Sequence, residues 1–108
     1  MSWAVVYFES ARGERFVQDF IDKQNPFIKA KFIGLVEFLG EYGPFLGGKY
    51  TKKLQKELYE LRITGKEQIR VLYAVRKQYI ILLHAFKKKA QKTPRREIKI
   101  ASLRLDRI

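Results

Sequence analysis

The chain is predicted to be a small α+β protein built on an antiparallel sheet, and three observations predict it. Short segments rich in β-branched and aromatic residues lie on both sides of a stretch with helical periodicity. The later segments are separated by gaps of hairpin length. Asn25-Pro26 and Thr93-Pro94 read as helix starts, with proline at the first helical position. The predicted order is β-α-α-β-β-β-α.

Residues 3–8 (WAVVYF) form the first strand, and Ser10 is expected to cap the helix that follows. Over residues 11–23, Phe16, Val17, Phe20 and Ile21 recur at helical spacing, with Arg12, Arg15, Asp19 and Asp22 opposite them. Asn25-Pro26 opens a second helix whose stripe of Ile28, Phe32, Leu35, Val36 and Leu39 runs to Gly40 or to Gly43-Pro44. The two helices form a hairpin. Residues 43–56 (GPFLGGKYTKKLQK) are rich in glycine and lysine and read as a loop. Residues 58–63, 68–76 and 79–86 then make a three-stranded meander, joined by residues 64–67 and by a tight Lys77-Gln78 turn. Thr93 is expected to cap a last helix with Ile98, Ala101 and Leu105 on one side. The first strand hides its apolar residues by joining the meander, with the helical hairpin across one face and the opposite face left open.

A chain of 108 residues that is 46% hydrophobic supports one domain, 1–108, with a small core. It has no cysteine, which excludes disulfides and thiolate metal sites and suits a reducing cytoplasm. The opening MSWAVVYFES lacks the form of a signal peptide, and no apolar run approaches the ~20 residues that span a bilayer, so a soluble cytoplasmic protein is expected. The net charge of +12 is unevenly spread. Residues 1–40 carry five basic and five acidic groups, whereas residues 87–108 carry nine and two. Seven cations (Lys87, Lys88, Lys89, Lys92, Arg95, Arg96 and Lys99) fall within thirteen positions directly after an apolar strand. A strand holds such charge on a rigid edge, which points to a polyanionic partner.

Alternation along the strands puts Arg70, Leu72 and Ala74 on one face and Ile69, Val71, Tyr73 and Val75 on the other, core-facing one. By the same rule Arg62 and His84 face away from the core. If the register aligns them, Arg62, Arg70 and His84 form a patch on an exposed concave face, a candidate phosphate site near the point where Lys87, Lys88 and Lys89 leave the sheet. The bland alternatives are a solvated Arg62–Glu60 or Arg62–Glu57 pair, a structural histidine and a solvated lysine run. With one His and no HExxH, Walker loop or GxGxxG, ligands for metal hydrolysis and nucleotide binding are missing. No carboxylate pair suited to acid–base or two-metal work is evident, so catalysis on this chain is expected to be cationic, without metal or other cofactor.

The ordered blocks LYELRI (58–63), IRVLYAV (69–75) and ILLHAFKKKAQKTPRREIKIA (81–101) resemble the RelE/ParE superfamily of type II toxins, most closely its phage-derived, HigB-like branch. The resemblance implies a compact RelE-like, microbial RNase-like fold. It also implies an mRNA interferase that cuts mRNA on the translating ribosome, and a small helix-turn-helix, HigA-like antitoxin that neutralises it, in a heterotetramer in some arrangements. Matched by position, Arg62 and Arg70 are the strand arginines, His84 is the histidine of the last strand, and Lys87, Lys88 and Lys92 form the basic bend. Lys49, Lys52, Lys53, Lys56, Lys89, Arg95 and Arg96 are expected to grip RNA or ribosome. Residues 93–97 (TPRRE) lack the tyrosine or aspartate that some members carry there, which leaves His84 and a lysine as alternative general bases. Two other functions compete: a ParE-like inhibitor of DNA gyrase without enzymatic activity, and a basic nucleic-acid-binding protein without catalysis.

Overall fold

The computed structural model describes residues 2–108. Its elements are β1 (Ala4–Tyr7), α1 (Phe16–Asp22), α2 (Pro26–Tyr42), β2 (Thr51–Gln55), β3 (Leu58–Ile63), β4 (Ile69–Arg76), β5 (Tyr79–Lys87) and α3 (Arg95–Leu105). The five strands form one sheet in the order β1-β5-β4-β3-β2. β2 to β5 pair antiparallel, whereas β1 runs parallel to β5. The sheet is thus mixed rather than antiparallel, and the element order gains a strand. The helices carry the chain from β1 across one face to the far edge, and the meander returns until β5 lies beside β1.

The added strand, β2, falls inside the glycine- and lysine-rich stretch read as a loop. Its pairing rests on backbone bonds to β3, while Lys52 and Lys53 remain exposed. Lysine on an edge strand is a common guard against edge-to-edge association, so polarity here marks a sheet edge.

The helix starts divide. Asn25 Oδ1 accepts from the Ile28 amide at 2.9 Å, capping α2 with Pro26 at its first turn. Ser10 does not cap α1. Its Oγ accepts from the Glu14 amide at 3.0 Å in a turn that includes Gly13 at φ 86°, and the helix waits until Phe16. Thr93 does not cap α3 either: Pro94 is the N-cap residue, and the Thr93 hydroxyl turns toward β3. At the other end of α2, Gly43 takes φ 95° and ψ 178°, against the indole of Trp3. That conformation is essentially restricted to glycine.

Both faces of the sheet are covered. On one, Ile63, Ile69, Val71, Tyr73 and Leu82 pack against Val17, Ile21, Ile28, Phe32 and Leu39 of α1 and α2. On the other, Leu58, Leu72, Ala74, Ile81, Leu83 and Phe86 pack against Ala101 and Leu105 of α3. The face expected to be open is therefore roofed, because α3 folds back over it. This accounts for the nearly unbroken apolar runs of β4 and β5, which differ from the alternation of a half-exposed strand. Among the described residues no helix is long and apolar enough to cross a membrane.

Candidate functional site

At the C-terminal end of β3 and the facing start of β4 the sheet concentrates charge. Arg62 and Arg70 are direct cross-strand partners. Like charges placed opposite one another are destabilising, and the neighbouring side chain offsets this. Glu60 shares their face two residues along β3. Its Oε2 accepts from Arg62 Nε at 3.1 Å and lies 3.8 Å from Arg70 Nε. Its Oε1 accepts a hydrogen bond from the Thr93 hydroxyl. The Glu60 side chain is 1% exposed and that of Arg70 is 8% exposed. A buried carboxylate is tolerated only when paired and hydrogen-bonded, and Glu60 meets both conditions.

The two arginines have different tasks open to them. Arg70 Nη1 donates to its neighbour's carbonyl at Ile69 (3.0 Å), and Nη2 donates to Gln68 Oε1 (3.3 Å). Its Nε is buried without a hydrogen-bond partner, at a long reach from Glu60. Arg70 is therefore a fixed charge behind the site. Arg62, about a quarter exposed, presents its Nε edge to Glu60 and keeps its Nη1/Nη2 edge for an outside acceptor. The expectation that Arg70 stands on an exposed face is corrected: the surface guanidinium here is Arg62.

Lys52 and Lys88 complete the group. Lys52 is the cross-strand partner of Glu60, which places it on the same face at the sheet edge. The Lys88 amide donates to the Gln68 carbonyl at 2.7 Å, prolonging the β4–β5 pairing by one residue and holding Lys88 beside the arginines. Partial burial, followed by the charges of Arg70, Arg62 and Lys52, pulls the Lys88 ammonium below the ordinary lysine pKa, against the opposing pull of Glu60. Four cations thus surround one buried carboxylate, leaving a net positive site at a sheet edge.

Other residues singled out in the sequence lie elsewhere. His84 sits beneath α3, where Nε2 meets Glu97 Oε1 at 2.7 Å and Nδ1 meets Arg104 Nη1 at 3.3 Å. Arginine can only donate, so Nδ1 is the acceptor and Nε2 carries the proton. Burial accordingly holds the imidazole below its ordinary pKa, and both ring nitrogens are engaged within the fold. The patch that was to include His84 is thus confined to the two arginines. Lys87 pairs on the surface with Glu67 at 2.7 Å. Lys53 faces the α2 side as partner of Tyr59, and Lys49 lies over the Tyr50 ring. Lys56 belongs to the turn at the opposite end of the β2–β3 hairpin. Lys89, Lys92, Arg95 and Arg96 are exposed along the bend and first turn that follow Lys88, with Arg96 Nε 3.3 Å from Glu97. Glu60, expected only as a solvated partner of Arg62, and Thr93, expected only as a helix cap, are the members of the group that the sequence did not place in the site. The signal for Glu60 was its spacing of two from Arg62 on one strand face.

Fold and site together define a class: a small mixed-sheet α+β protein with a cationic cluster where the central strands, an edge strand and the bend before the last helix meet. Within that class the chain belongs to the phage-derived Gp49-like family, whose model, "Phage derived protein Gp49-like (DUF891)", matches residues 19–106. No curated protein matches it in sequence.

Proposed function

We propose that this protein is the toxin of a type II toxin–antitoxin system and acts as an endoribonuclease on mRNA at the ribosome, stopping translation and growth. Membership of the Gp49-like family supports the coarse reading, a phage-derived, toxin-like protein. The ordered motifs shared with the RelE/ParE superfamily support the finer one, a HigB-like mRNA interferase with a RelE-like fold. The observation that carries the proposal is the convergence of Lys52, Arg62, Arg70 and Lys88 around Glu60, with Lys88 held below its ordinary pKa.

RNA brings its own nucleophile. An enzyme of this kind sets the 2′-hydroxyl in line with the phosphorus, takes its proton and stabilises the charge gathering on the phosphoryl oxygens. In this site the Arg62 Nη edge grips the phosphate, and Arg70 adds fixed positive charge from behind. Lys88, in its neutral form, accepts the 2′-hydroxyl proton. Lys88 is preferred to His84 because the histidine nitrogens are already occupied under α3. The 2′-oxygen bonds to phosphorus, the bond to the 5′-oxygen breaks, and that oxygen takes a proton from solvent water, while the proton gained by Lys88 returns to solvent. Lys89, Lys92 and Arg95 extend the positive surface toward ribosomal RNA. A small helix-turn-helix antitoxin in the same cytoplasm is the proposed neutralising partner.

The test is induction of the protein in growing bacteria, followed by mapping of mRNA 5′ ends and of DNA supercoiling. Cuts within translated codons that disappear in Lys88→Ala, with supercoiling unchanged, support the proposal. Intact mRNA with gyrase-dependent DNA breaks refutes it in favour of a gyrase inhibitor.

A further inference from the structure

We propose that Glu60 is a positioning residue: its buried carboxylate holds Arg62 by the Nε edge with one oxygen and the bend before α3, through Thr93, with the other. Arg62 and Lys88 are thereby brought to one substrate phosphate. The inference rests on the nuclease reading for its functional consequence, but the geometry stands without it.

Glu60 has no role at the surface, being almost fully buried. A buried charge on a sheet strand is costly when apolar residues would pack as well, and its two oxygens serve separate elements. Oε2 faces the strand arginines and Oε1 takes the hydroxyl of Thr93, 33 positions later in the chain. Arginine offers two bidentate edges. The bond from Nε to Glu60 restrains the guanidinium and leaves Nη1 and Nη2, to which none of the described residues bonds, for an acceptor from outside. Thr93 closes the segment that begins at Lys88, so the Glu60–Thr93 bond ties down the far end of the bend that carries Lys88, Lys89 and Lys92. The near end is tied by the Lys88 amide at Gln68. With both ends pinned, the lysines of the bend stand at a set distance from Arg62. The diversion of Thr93 from helix capping has the same explanation.

Loss of the anchor should change geometry more than attraction. Glu60→Gln removes a negative charge from a site that binds an anion and releases Arg62 from its set orientation. In single-turnover cleavage on purified ribosomes programmed with a defined mRNA, Glu60→Gln is expected to lower the maximal rate at least tenfold. Its half-saturating ribosome concentration should stay the same or fall. Thr93→Val is expected to lower the rate in the same way, and Thr93→Ser, which keeps the hydroxyl, to recover most of that loss. An unchanged rate in Glu60→Gln, or a loss of rate and affinity together in step with loss of folded protein, overturns the proposal.

A second measurement does not depend on cleavage. In the free protein with 15N-labelled arginine and 13C-labelled lysine, the Arg62 Nε–H should exchange slowly with water and lose that protection in Glu60→Gln and Thr93→Val. Lys88 should titrate at lower pH in Glu60→Gln, because the anion that raises its pKa is gone. If Glu60→Gln does not fold, Thr93→Val carries the exchange measurement. Protection unaffected in a folded variant overturns the positioning role. Loss of protection in a protein that never cuts mRNA leaves the positioning role standing and refutes the nuclease reading alone.

Discussion

Replacement of Arg70 by alanine distinguishes a buried charge pair from a solvent-facing substrate ligand, and the two give different stability effects. The side chain is 8% exposed and its closest anion, Glu60, is 1% exposed. Removal of one partner of a buried pair costs about 3–5 kcal/mol, because the other charge stays behind uncompensated. Two features place Arg70 toward the low end. Its Nε lies 3.8 Å from Glu60, long for a charge-assisted hydrogen bond, and Arg62 at 3.1 Å remains to compensate the carboxylate. Loss of the Nη1 and Nη2 bonds to Ile69 and Gln68 works in the other direction. The expected destabilisation is about 3 kcal/mol, against roughly 5–15 kcal/mol for the total stability of a typical protein. At about 4–8 °C per kcal/mol for a chain of this size, the midpoint should fall by roughly 12–24 °C. Thermal and urea unfolding followed by circular dichroism measure it. Glu60→Gln in the same background should cost less than in the wild type, since the two residues interact directly. An Arg70→Ala protein as stable as the parent would refute the buried-pair account and return Arg70 to the surface role expected from strand alternation alone.

Three further outcomes can be measured. Lys88→Arg keeps the charge but cannot release a proton near neutral pH, so cleavage should fall by about 10²–10⁴ with little change in ribosome binding; in the parent, the rate should rise with pH and level off below the ordinary lysine value of about 10.4, and a flat profile would remove Lys88 as the proton acceptor. His84 is held neutral between Glu97 and Arg104 of α3, with its pKa lowered chiefly by burial; its contribution is therefore complete above about pH 6.5 and is lost as pH falls toward its folded value, and His84→Gln should flatten that part of a melting-temperature profile. Gly43→Ala should cost about 1–3 kcal/mol, because φ is 95° and a Cβ there would lie 2.9 Å from Trp3 Nε1, as urea unfolding would report.

The parts of the fold legible in the sequence are those set by local chemistry. Asn25-Pro26 caps α2 because a short polar side chain and a fixed φ suffice for a helix start, whatever surrounds it. The β3–β4–β5 meander follows from tight turns and apolar strands. What escaped is set by tertiary pairing. β2 has no apolar pattern of its own and exists because β3 offers an unpaired edge. The parallel pairing of β1 depends on where the helical hairpin delivers the chain. Ser10 and Thr93 have the right chemistry for caps, yet their hydroxyls found other partners, Glu14 and Glu60.

The candidate site divides along the same line. Strand alternation correctly put Arg62, Arg70 and His84 on one face, but which part of that face is open depends on the rest of the fold: residues of α3 engage His84, whereas Arg62 stays partly exposed. The unbroken apolar run Ile80–Leu83 already carried the sign of a second covered face, since a strand with one wet side would alternate there. Glu60 was legible only as a possible surface partner of Arg62. Its burial turns that pairing from a minor surface contact into an organising centre, because a salt bridge in water is worth about 0–1 kcal/mol while a desolvated charge must be matched wherever it sits. The arginines, the edge lysine and the bend are therefore best understood as arranged around an anion of the protein's own, in an array that leaves the outward edge of Arg62 for an anion from outside.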